Sequence, residues 1–205
     1  MLNFANDYNT ANLAHKMVNF NPYIDKIDVD FWRELCTKEG KLCQYKKGDY
    51  FLHRGEMTRK VWGFIKKGYF KYSVTDSDGD THITGFSFCD TPLGDYSSLI
   101  MKTPAVTDII AATDAEVLVC NRNIVDELFE KDFKLHSVIS DGFFHQTYDR
   151  FLNLYRQSAK ERYIHILENC PDILQNITLK EMASYLQITP THLSRIRKEI
   201  TFGRR

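Results

Sequence analysis

Apolar residues near the end of the chain recur with the spacing of an amphipathic α-helix. The positions i, i+3, i+4 and i+7 of this stripe are Leu179, Met182, Ala183 and Leu186. Thr178 stands before the stripe and Glu181 follows it by three residues, which is the spacing of a capping box. In a capping box each side chain bonds a free backbone amide at the helix start. The pattern therefore predicts a helix that begins near Leu179.

A second helix is predicted to begin at Pro190. Thr189 is a good N-cap, and proline is favoured at the first helical position because its missing N–H costs nothing there. The apolar face of this helix carries Leu193, Ile196 and Ile200, and another face carries Thr191, Arg195 and Lys198. Residues 178–200 therefore predict a helix-turn-helix, although capped helix pairs of this kind also occur in proteins that bind no nucleic acid.

Between Cys43 and Cys120 the pattern is that of a β domain, with short aromatic and β-branched runs separated by glycine turns. One predicted hairpin crosses Asp78-Gly79 and has a single buried face, whose residues are Phe70, Tyr72, Val74, Thr84, Phe86 and Phe88. Further strand candidates cover residues 61–65, 109–112 and 116–120. Short, evenly spaced strands favour a jelly roll or barrel.

A long helix is predicted after the β domain, from Lys134 to about Gln157, between shorter helices over residues 123–129 and 159–168. Its apolar stripe consists of Leu135, Val138, Ile139, Gly142, Phe143, Phe151 and Leu154. A helix of about 24 residues is about 36 Å long. Such a stripe needs a partner surface, which is the β domain, a second copy of the chain, or both.

Charge is unevenly divided along an otherwise ordinary globular composition. The 205 residues are 43% hydrophobic and 26% charged, with 27 cationic and 27 anionic side chains. Residues 150–205 hold 10 Lys and Arg against 5 Asp and Glu, a surplus of +5, which leaves 17 against 22, or −5, for residues 1–149. A basic end on an acidic remainder is expected if only that end meets phosphates.

Several function classes gain no support from motifs. No GxSxG elbow, Walker loop, GxGxxG turn or HExxH helix is present, so no catalytic residue is assigned. The five cysteines are widely spaced and predict free, mostly buried thiols, and the seven histidines form no metal-ligand pair. No metal or cofactor is therefore assigned, although a haem or metal sensor built from scattered histidines stays open.

Two further patterns have ordinary explanations. The run from Asp76 to Asp80 lacks the glycine and glutamate that a calcium loop needs at its sixth and twelfth positions, and it predicts a hairpin turn. Residues 1–26 contain no signal-peptide pattern, and no segment approaches the about 20 apolar residues of a membrane span. A cytoplasmic location without a membrane partner is expected.

The order of a glycine-punctuated β-roll, a long helix and a helix-turn-helix resembles the Crp/Fnr family of bacterial transcription regulators. The likeness spans about residues 25–200. Its specific parts are Lys47-Gly48-Asp49, Arg54-Gly55-Glu56, Phe64-Ile65-Lys66-Lys67-Gly68, Leu93-Gly94-Asp95-Tyr96-Ser97-Ser98 and the C-terminal motif.

The resemblance implies an α+β fold in three parts. These are an N-terminal double-stranded β-helix (jelly roll) of the cyclic nucleotide-binding type with flanking helices over residues 1–130, a long dimerisation helix over 131–157, and a winged helix-turn-helix DNA-binding domain over 158–205. It also implies a homodimer on a two-fold site in double-stranded DNA, with the recognition helices about one DNA turn apart. RNA polymerase is a further candidate partner.

Departures from the family pattern bear on the effector. Cyclic nucleotide-binding members carry Gly-Glu-Leu and, about eleven residues after that glycine, an arginine that pairs with the phosphate. Here Gly94 matches, Asp95 replaces the glutamate and Ala105 stands at the arginine position. An unpaired buried anion is costly, so the usual response to cyclic AMP is not expected. Lys102 or Arg59 as a substitute charge carries less weight.

The effector is unknown, and its candidate pocket residues are Gly94, Asp95, Tyr96, Ser97, Ala105 and Val106. Aromatic residues of the roll could also line an apolar pocket, but core packing is the favoured role for Trp62, Phe64, Tyr69, Phe70, Tyr72, Phe86 and Phe88. The N-terminal cysteine cluster of the iron–sulfur members of the family is missing, since the first cysteine is Cys36.

Within the second helix, Arg195 is the leading candidate for a base contact because arginine bonds guanine bidentately. The family's common Ser-Arg-Glu is replaced by Thr189-Pro190-Thr191, so its half-site cannot be transferred. Thr191 and His192 are expected at base edges. The residues expected at phosphates are Thr178, Lys180, Ser194 and Lys198. The full predicted DNA-contacting set is Thr178, Lys180, Thr189, Thr191, His192, Ser194, Arg195 and Lys198.

The leading hypothesis is a sequence-specific, homodimeric DNA-binding transcription regulator of the Crp/Fnr type that is not an enzyme and does not respond to cyclic AMP in the usual way. The alternative is a small-ligand or protein-interaction module that keeps the β-roll without DNA binding. A cupin-like enzyme, the third class, requires converging His and Glu metal ligands in the roll.

Overall fold

The structure is a computed structural model that describes residues 20–57 and 62–203, and its fold is α+β as predicted. In chain order the elements are a 3-10 helix (Pro22–Lys26), α1 (Val29–Glu39), β1 (Lys41–Tyr45), β2 (Tyr50–Leu52), β3 (Trp62–Lys67), β4 (Phe70–Thr75), β5 (Thr81–Ser87), β6 (Pro92–Gly94), α2 (Tyr96–Met101), β7 (Asp108–Ala111), β8 (Ala115–Cys120), α3 (Arg122–Lys131), α4 (Phe133–Arg156), α5 (Ala159–Asn169), α6 (Ile173–Asn176), α7 (Leu179–Tyr185) and α8 (Pro190–Phe202).

The eight strands form two antiparallel four-stranded sheets, with strand orders β1-β8-β3-β6 and β2-β7-β4-β5. This arrangement confirms the predicted jelly roll. The two sheets enclose an apolar core that includes Ile65, Phe70 and Val117. The opposite face of β3 carries Trp62 and Phe64, which pack against the helices. Residues 62–65 of β3 are therefore buried on both faces, as their continuous apolar sequence requires, whereas Lys66 and Lys67 at the end of the strand are exposed.

The predicted hairpin is formed by β4 and β5, but its alternation does not hold along its length. The pairing register shifts between Tyr72 and Ser73, and this irregularity reverses which residues face the interior. Ser73 is consequently buried, whereas Val74 is only half-buried. Phe86, which was predicted to share the buried face of Phe70, instead packs in a separate cluster with the C-terminal helices.

The predicted long helix is confirmed as α4, and its apolar residues divide between two faces. Ile139 and Gly142 are buried on the side that meets the roll. Phe151 and Leu154, predicted to continue the same stripe, are 51% and 41% exposed. The roll therefore covers the apolar stripe only in the N-terminal half of α4, and a second copy of the chain as the partner of the C-terminal half stays a prediction.

The predicted helix-turn-helix is formed by α7 and α8. Thr178 and Glu181 make the expected capping box, and the Thr189 hydroxyl caps α8 by accepting a hydrogen bond from the His192 amide. Residues 159–203, all of which the structure describes, contain no strand, so the wing in the predicted winged domain is not found there. The predicted domain limits at residues 130 and 157 stay an interpretation.

The helix-turn-helix docks on the β4–β5 hairpin. The rings of Phe20, Phe86 and Tyr185 contact one another, with centroid distances of 5.4 Å for Phe20–Phe86, 5.1 Å for Phe20–Tyr185 and 5.9 Å for Phe86–Tyr185. A polar contact continues this surface, because the Ile83 amide donates to the Ser184 hydroxyl at 2.9 Å. The first helix of the motif is thus held by the roll through both apolar and polar contacts.

The five cysteines are free thiols, as predicted, and three of them are buried. Two of the buried thiols meet, with the Cys120 and Cys36 sulfur atoms 2.9 Å apart between β8 and α1. None of the described helices is both long enough and apolar enough to cross a membrane.

Candidate nucleic-acid interface and effector cavity

The second helix of the motif is anchored by two buried side chains, Leu193 and Ile196, and presents its polar residues to solvent. Ile200, predicted to pack on the same side, is 41% exposed, so the anchored face ends one turn earlier than expected. The predicted DNA-contacting residues are all exposed: Thr178, Lys180, Thr189, Thr191, His192, Ser194, Arg195 and Lys198. Helix α8 therefore offers an accessible polar and cationic face at the surface of the molecule.

Two of these exposed residues already have structural partners. The Thr178 hydroxyl donates to the Glu181 carboxylate at 2.9 Å, and the Thr189 hydroxyl serves as the cap of α8. Their side chains therefore fix the starts of the two helices. Arg195 and Lys198 carry the positive charge of the exposed face.

Arg162 positions the turn of the motif, a role that no local sequence pattern predicts. Its Nη1 donates to the Gln157 carbonyl at 2.7 Å and its Nη2 donates to the Leu186 carbonyl at 2.9 Å. Gln157 is the C-cap of α4, and Leu186 is the C-cap of α7. One guanidinium thus satisfies carbonyl groups at the ends of both helices.

A cavity of about 330 Å³ lies where the roll, the N-terminal segment and α4 meet. Five predicted pocket residues line it, namely Gly94, Asp95, Tyr96, Ser97 and Val106. Ala105 does not line the cavity, because it is buried in the core of the roll. Its amide and carbonyl are bonded to the backbone of Glu56 and Gly55. The structure therefore does not bring Ala105 together with the other five predicted pocket residues.

The Asp95 carboxylate is buried and its oxygens accept hydrogen bonds from the surrounding chain. One oxygen accepts from the Ser98 amide at 3.1 Å. The other accepts from the Val106 amide at 3.0 Å and from the Thr107 hydroxyl at 3.5 Å. The chain thus places a negative charge of its own among donors that converge beside the cavity.

Tyrosine hydroxyls supply much of the polar surface of this region. The Tyr72 hydroxyl donates to the Gly94 carbonyl at 3.2 Å and lies 3.2 Å from the Ser87 hydroxyl. Burial raises the pKa of Tyr72, and burial together with the nearby Tyr72 raises the pKa of Tyr23. Both phenols therefore keep their protons at neutral pH.

Arg150 closes the side of the cavity that is nearest the helix-turn-helix. Its Nη2 donates to the Phe20 carbonyl at 2.8 Å and to the Asn21 side-chain oxygen at 3.1 Å. The guanidinium also lies over the Phe20 ring, 4.6 Å from its centroid, and 5.9 Å from that of Tyr185. Arg150 contacts Asn21, which is more than a hundred residues away in sequence. No local sequence pattern could therefore predict that Arg150 lines the cavity.

Lys102, one of the two proposed substitute charges, does not reach the cavity. Lys102 is exposed at the end of α2, in a left-handed conformation with φ 52°, and is not one of the lining residues. Arg59 lies outside the described residues. No group of three His, Cys, Asp or Glu side chains suited to a metal ion occurs in the described chain.

Comparison with known proteins agrees with this geometry. Residues 42–132 match the family model of the cyclic nucleotide-binding domain. FixK2 from Bradyrhizobium japonicum is similar to the chain with a TM-score of 0.69 and 18% identity, over 79% of this chain and 84% of FixK2. The chain has the fold of the CRP/FNR transcription regulators.

Other CRP/FNR structures support the same assignment of the fold. A CRP/FNR-family transcriptional regulator from Thermus thermophilus has a TM-score of 0.58 and 19% identity, over 78% of this chain and 86% of that protein. The c-di-GMP-responsive regulator CLP from Xanthomonas campestris has a TM-score of 0.62 and 11% identity, over 84% and 91% of the two chains. No curated protein matches the sequence.

Proposed function

We propose that the protein is a sequence-specific DNA-binding transcription regulator of the CRP/FNR type. The observation that carries this proposal is the accessible face of α8, which displays Arg195 and Lys198 while Leu193 and Ile196 hold the helix in place. An α-helix fits the major groove of DNA, where an arginine side chain bonds guanine through two atoms. Double-stranded DNA is the proposed partner.

Charge distribution supports an interface with phosphates at this end of the molecule. The surplus of +5 in residues 150–205 stands against −5 in the remainder of the chain. Lys180 and Lys198 are exposed on the two helices of the motif. Contacts from such side chains to the DNA backbone fix the register of a recognition helix, and they make binding weaker as salt increases.

A homodimer joined through α4 is part of the proposal. Four exposed aromatic residues follow each other along this helix at spacings of four, three and four: Phe144, Tyr148, Phe151 and Tyr155. This is the repeat of a coiled-coil seam, in which two helices bury the same positions against each other. A second copy of the chain, related by a two-fold axis, is the occupant that such a seam fits.

Regulation by cyclic AMP in the usual way does not form part of the proposed function. Ala105 stands where the family's phosphate-binding arginine is found, and its methyl group packs in the roll core. Asp95 adds a negative charge next to the donors that face the cavity. A cyclic phosphate would therefore meet the repulsion of Asp95 and would lack the arginine that the family uses at position 105.

Selection of bound duplexes from a random DNA pool tests the proposal. The full chain is expected to enrich a two-fold symmetric sequence, with an affinity that falls as salt increases. Arg195→Ala should reduce binding to that sequence by about tenfold or more. Lys38→Ala, which removes an exposed positive charge from α1, is the matched control and should change little.

The same experiment can also contradict the DNA-binding proposal. Failure to enrich any sequence, together with equal binding by the Arg195→Ala and Lys38→Ala variants, would favour the alternative of a ligand or protein-interaction module. A cytoplasmic location and a contact with RNA polymerase accompany the proposed role as further expectations.

A further inference from the structure

The 330 Å³ cavity is bounded by three separate parts of the chain. The roll contributes residues near Gly94 and Val106, the N-terminal segment contributes Tyr23, and α4 contributes Phe143 and Thr147. Its volume lies at the lower end of the range for small-molecule sites, about 300–1,000 Å³. A molecule bound there would touch the roll and the long helix together.

The charged side chains among the described lining residues are Asp95 and Arg150, and each is already engaged by the protein. The Asp95 carboxylate accepts from Ser98, Val106 and Thr107, and the Arg150 guanidinium donates to the backbone of Phe20 and to Asn21. The two charges cancel, and an anionic ligand would meet the fixed Asp95 carboxylate as well as the Arg150 guanidinium, whose Nη2 is already bonded to Phe20 and Asn21. The charge arrangement therefore disfavours a phosphate.

The remaining walls are apolar or carry neutral hydrogen-bonding groups. Trp62, Ile139 and Phe143 supply apolar surface, and the Tyr23 and Tyr72 phenols stay protonated. Aromatic side chains pack well against flat rings through offset or edge-to-face contacts. Neutral hydroxyl groups bond an uncharged polar substituent without requiring a counter-charge.

We infer that this cavity binds a small, uncharged, ring-containing molecule, and not a cyclic nucleotide. The inference deepens the proposed function, on which the regulatory meaning of such a ligand rests. Because the cavity joins the roll to α4, the ligand would stabilise one placement of the long helix relative to the roll. It would do so by the free energy with which it prefers that placement.

The test uses N-phenyl-1-naphthylamine, an uncharged ring compound whose fluorescence increases in apolar surroundings, with the full chain in the absence of DNA. A saturable fluorescence increase is expected. Thr147→Trp and Val106→Trp each place a large side chain at an exposed position of the lining, and each should weaken the apparent affinity by about tenfold. Thr37→Trp adds the same side chain on the exposed surface of α1 and is the matched control.

The outcomes separate cleanly. Loss of binding in both lining variants, with binding retained in Thr37→Trp, supports the site. Absence of a saturable signal, equal binding by all three variants, or displacement of the dye by cyclic AMP overturns it. DNA binding is measured on the same preparations, so a negative dye experiment leaves the DNA-binding proposal standing, and failure to bind DNA leaves the ligand result standing.

Discussion

The Lys71 ammonium group lies 3.4 Å from the Glu181 carboxylate, so a residue of β4 is paired with the helix-turn-helix. The same carboxylate accepts a hydrogen bond from the Tyr69 hydroxyl at 3.2 Å. Within its own helix it accepts from the Thr178 amide at 2.9 Å. Glu181 therefore both caps α7 and holds α7 against the roll.

This arrangement predicts that the docking of α7 weakens in acid. Burial alone would raise the pKa of Glu181, but hydrogen bonds from Thr178 and the charge of Lys71 outweigh it, and the pKa is lowered below its ordinary value of 4.5. A lowered pKa in the folded state contributes stability that is complete above the ordinary value. That contribution is lost as the pH falls through the lowered value.

Hydrogen exchange of the α7 amides as a function of pH measures this effect, and Glu181→Gln should remove its share of the acid dependence. Lys71→Ala removes this contact and should lower the free energy of unfolding of the protein by about 1 kcal/mol at neutral pH, because the pair is mostly buried. Lys46→Ala breaks the exposed pair with Asp114 and should change little. Equal effects of the two alanine variants would contradict the assigned role of Lys71.

Asp95 is expected to stabilise the wall of the cavity. Asp95→Ala removes the cap of α2 and leaves the partly buried Val106 amide without its partner, which should together lower the free energy of unfolding by about 2 kcal/mol. Asp28→Ala removes an exposed N-cap of α1 and should cost about 1 kcal/mol. Urea unfolding monitored by circular dichroism measures both changes, and equal losses would show that the Val106 contact contributes nothing.

Arg162 should resist even a conservative replacement. Lysine keeps the charge but cannot reach the Gln157 and Leu186 carbonyls with the two separate nitrogens that the guanidinium uses. Arg162→Lys should therefore lower the free energy of unfolding by about 2 kcal/mol and increase amide exchange at the start of α8. Arg156→Lys, at the exposed last residue of α4, is the control. Indistinguishable variants would remove Arg162 from this role.

The proposed α4 seam predicts a defined change in oligomeric state. Phe151→Glu introduces a charge at the seam and should shift the protein from dimer to monomer in sedimentation velocity experiments. Leu42→Glu makes the same kind of change on β1, at a side chain with the same 51% exposure, and should leave the dimer intact. A dimer that survives Phe151→Glu would place the two-fold contact elsewhere on the molecule.

Local signals explain which features could be predicted from sequence. The starts of α7 and α8 follow from Thr178, Glu181, Thr189 and Pro190, because capping depends only on residues within one turn. The turn of the β4–β5 hairpin is similarly local, since Gly79 adopts a left-handed φ of 87°. These elements needed no knowledge of the remainder of the chain.

Features that depend on distant contacts were predicted less well. The register shift after Tyr72 reverses the faces of β4, and nothing in the alternating sequence marks it. Likewise, Phe86 has the hydrophobicity of a roll core residue but is buried by Phe20 and Tyr185, which come from opposite ends of the chain. Ala105 lies apart from the other predicted pocket residues for the same reason, because neighbours in sequence there face different sides of the roll wall.

Arg150 contacts both the cavity and the surface on which the helix-turn-helix docks. The same guanidinium lines the cavity, fixes the Phe20 backbone and lies over the Phe20 and Tyr185 rings that seat α7 on the roll. A displacement of this one side chain would therefore alter both places at once. One arginine side chain thus links the wall of the cavity to the contacts that set the orientation of the helix-turn-helix.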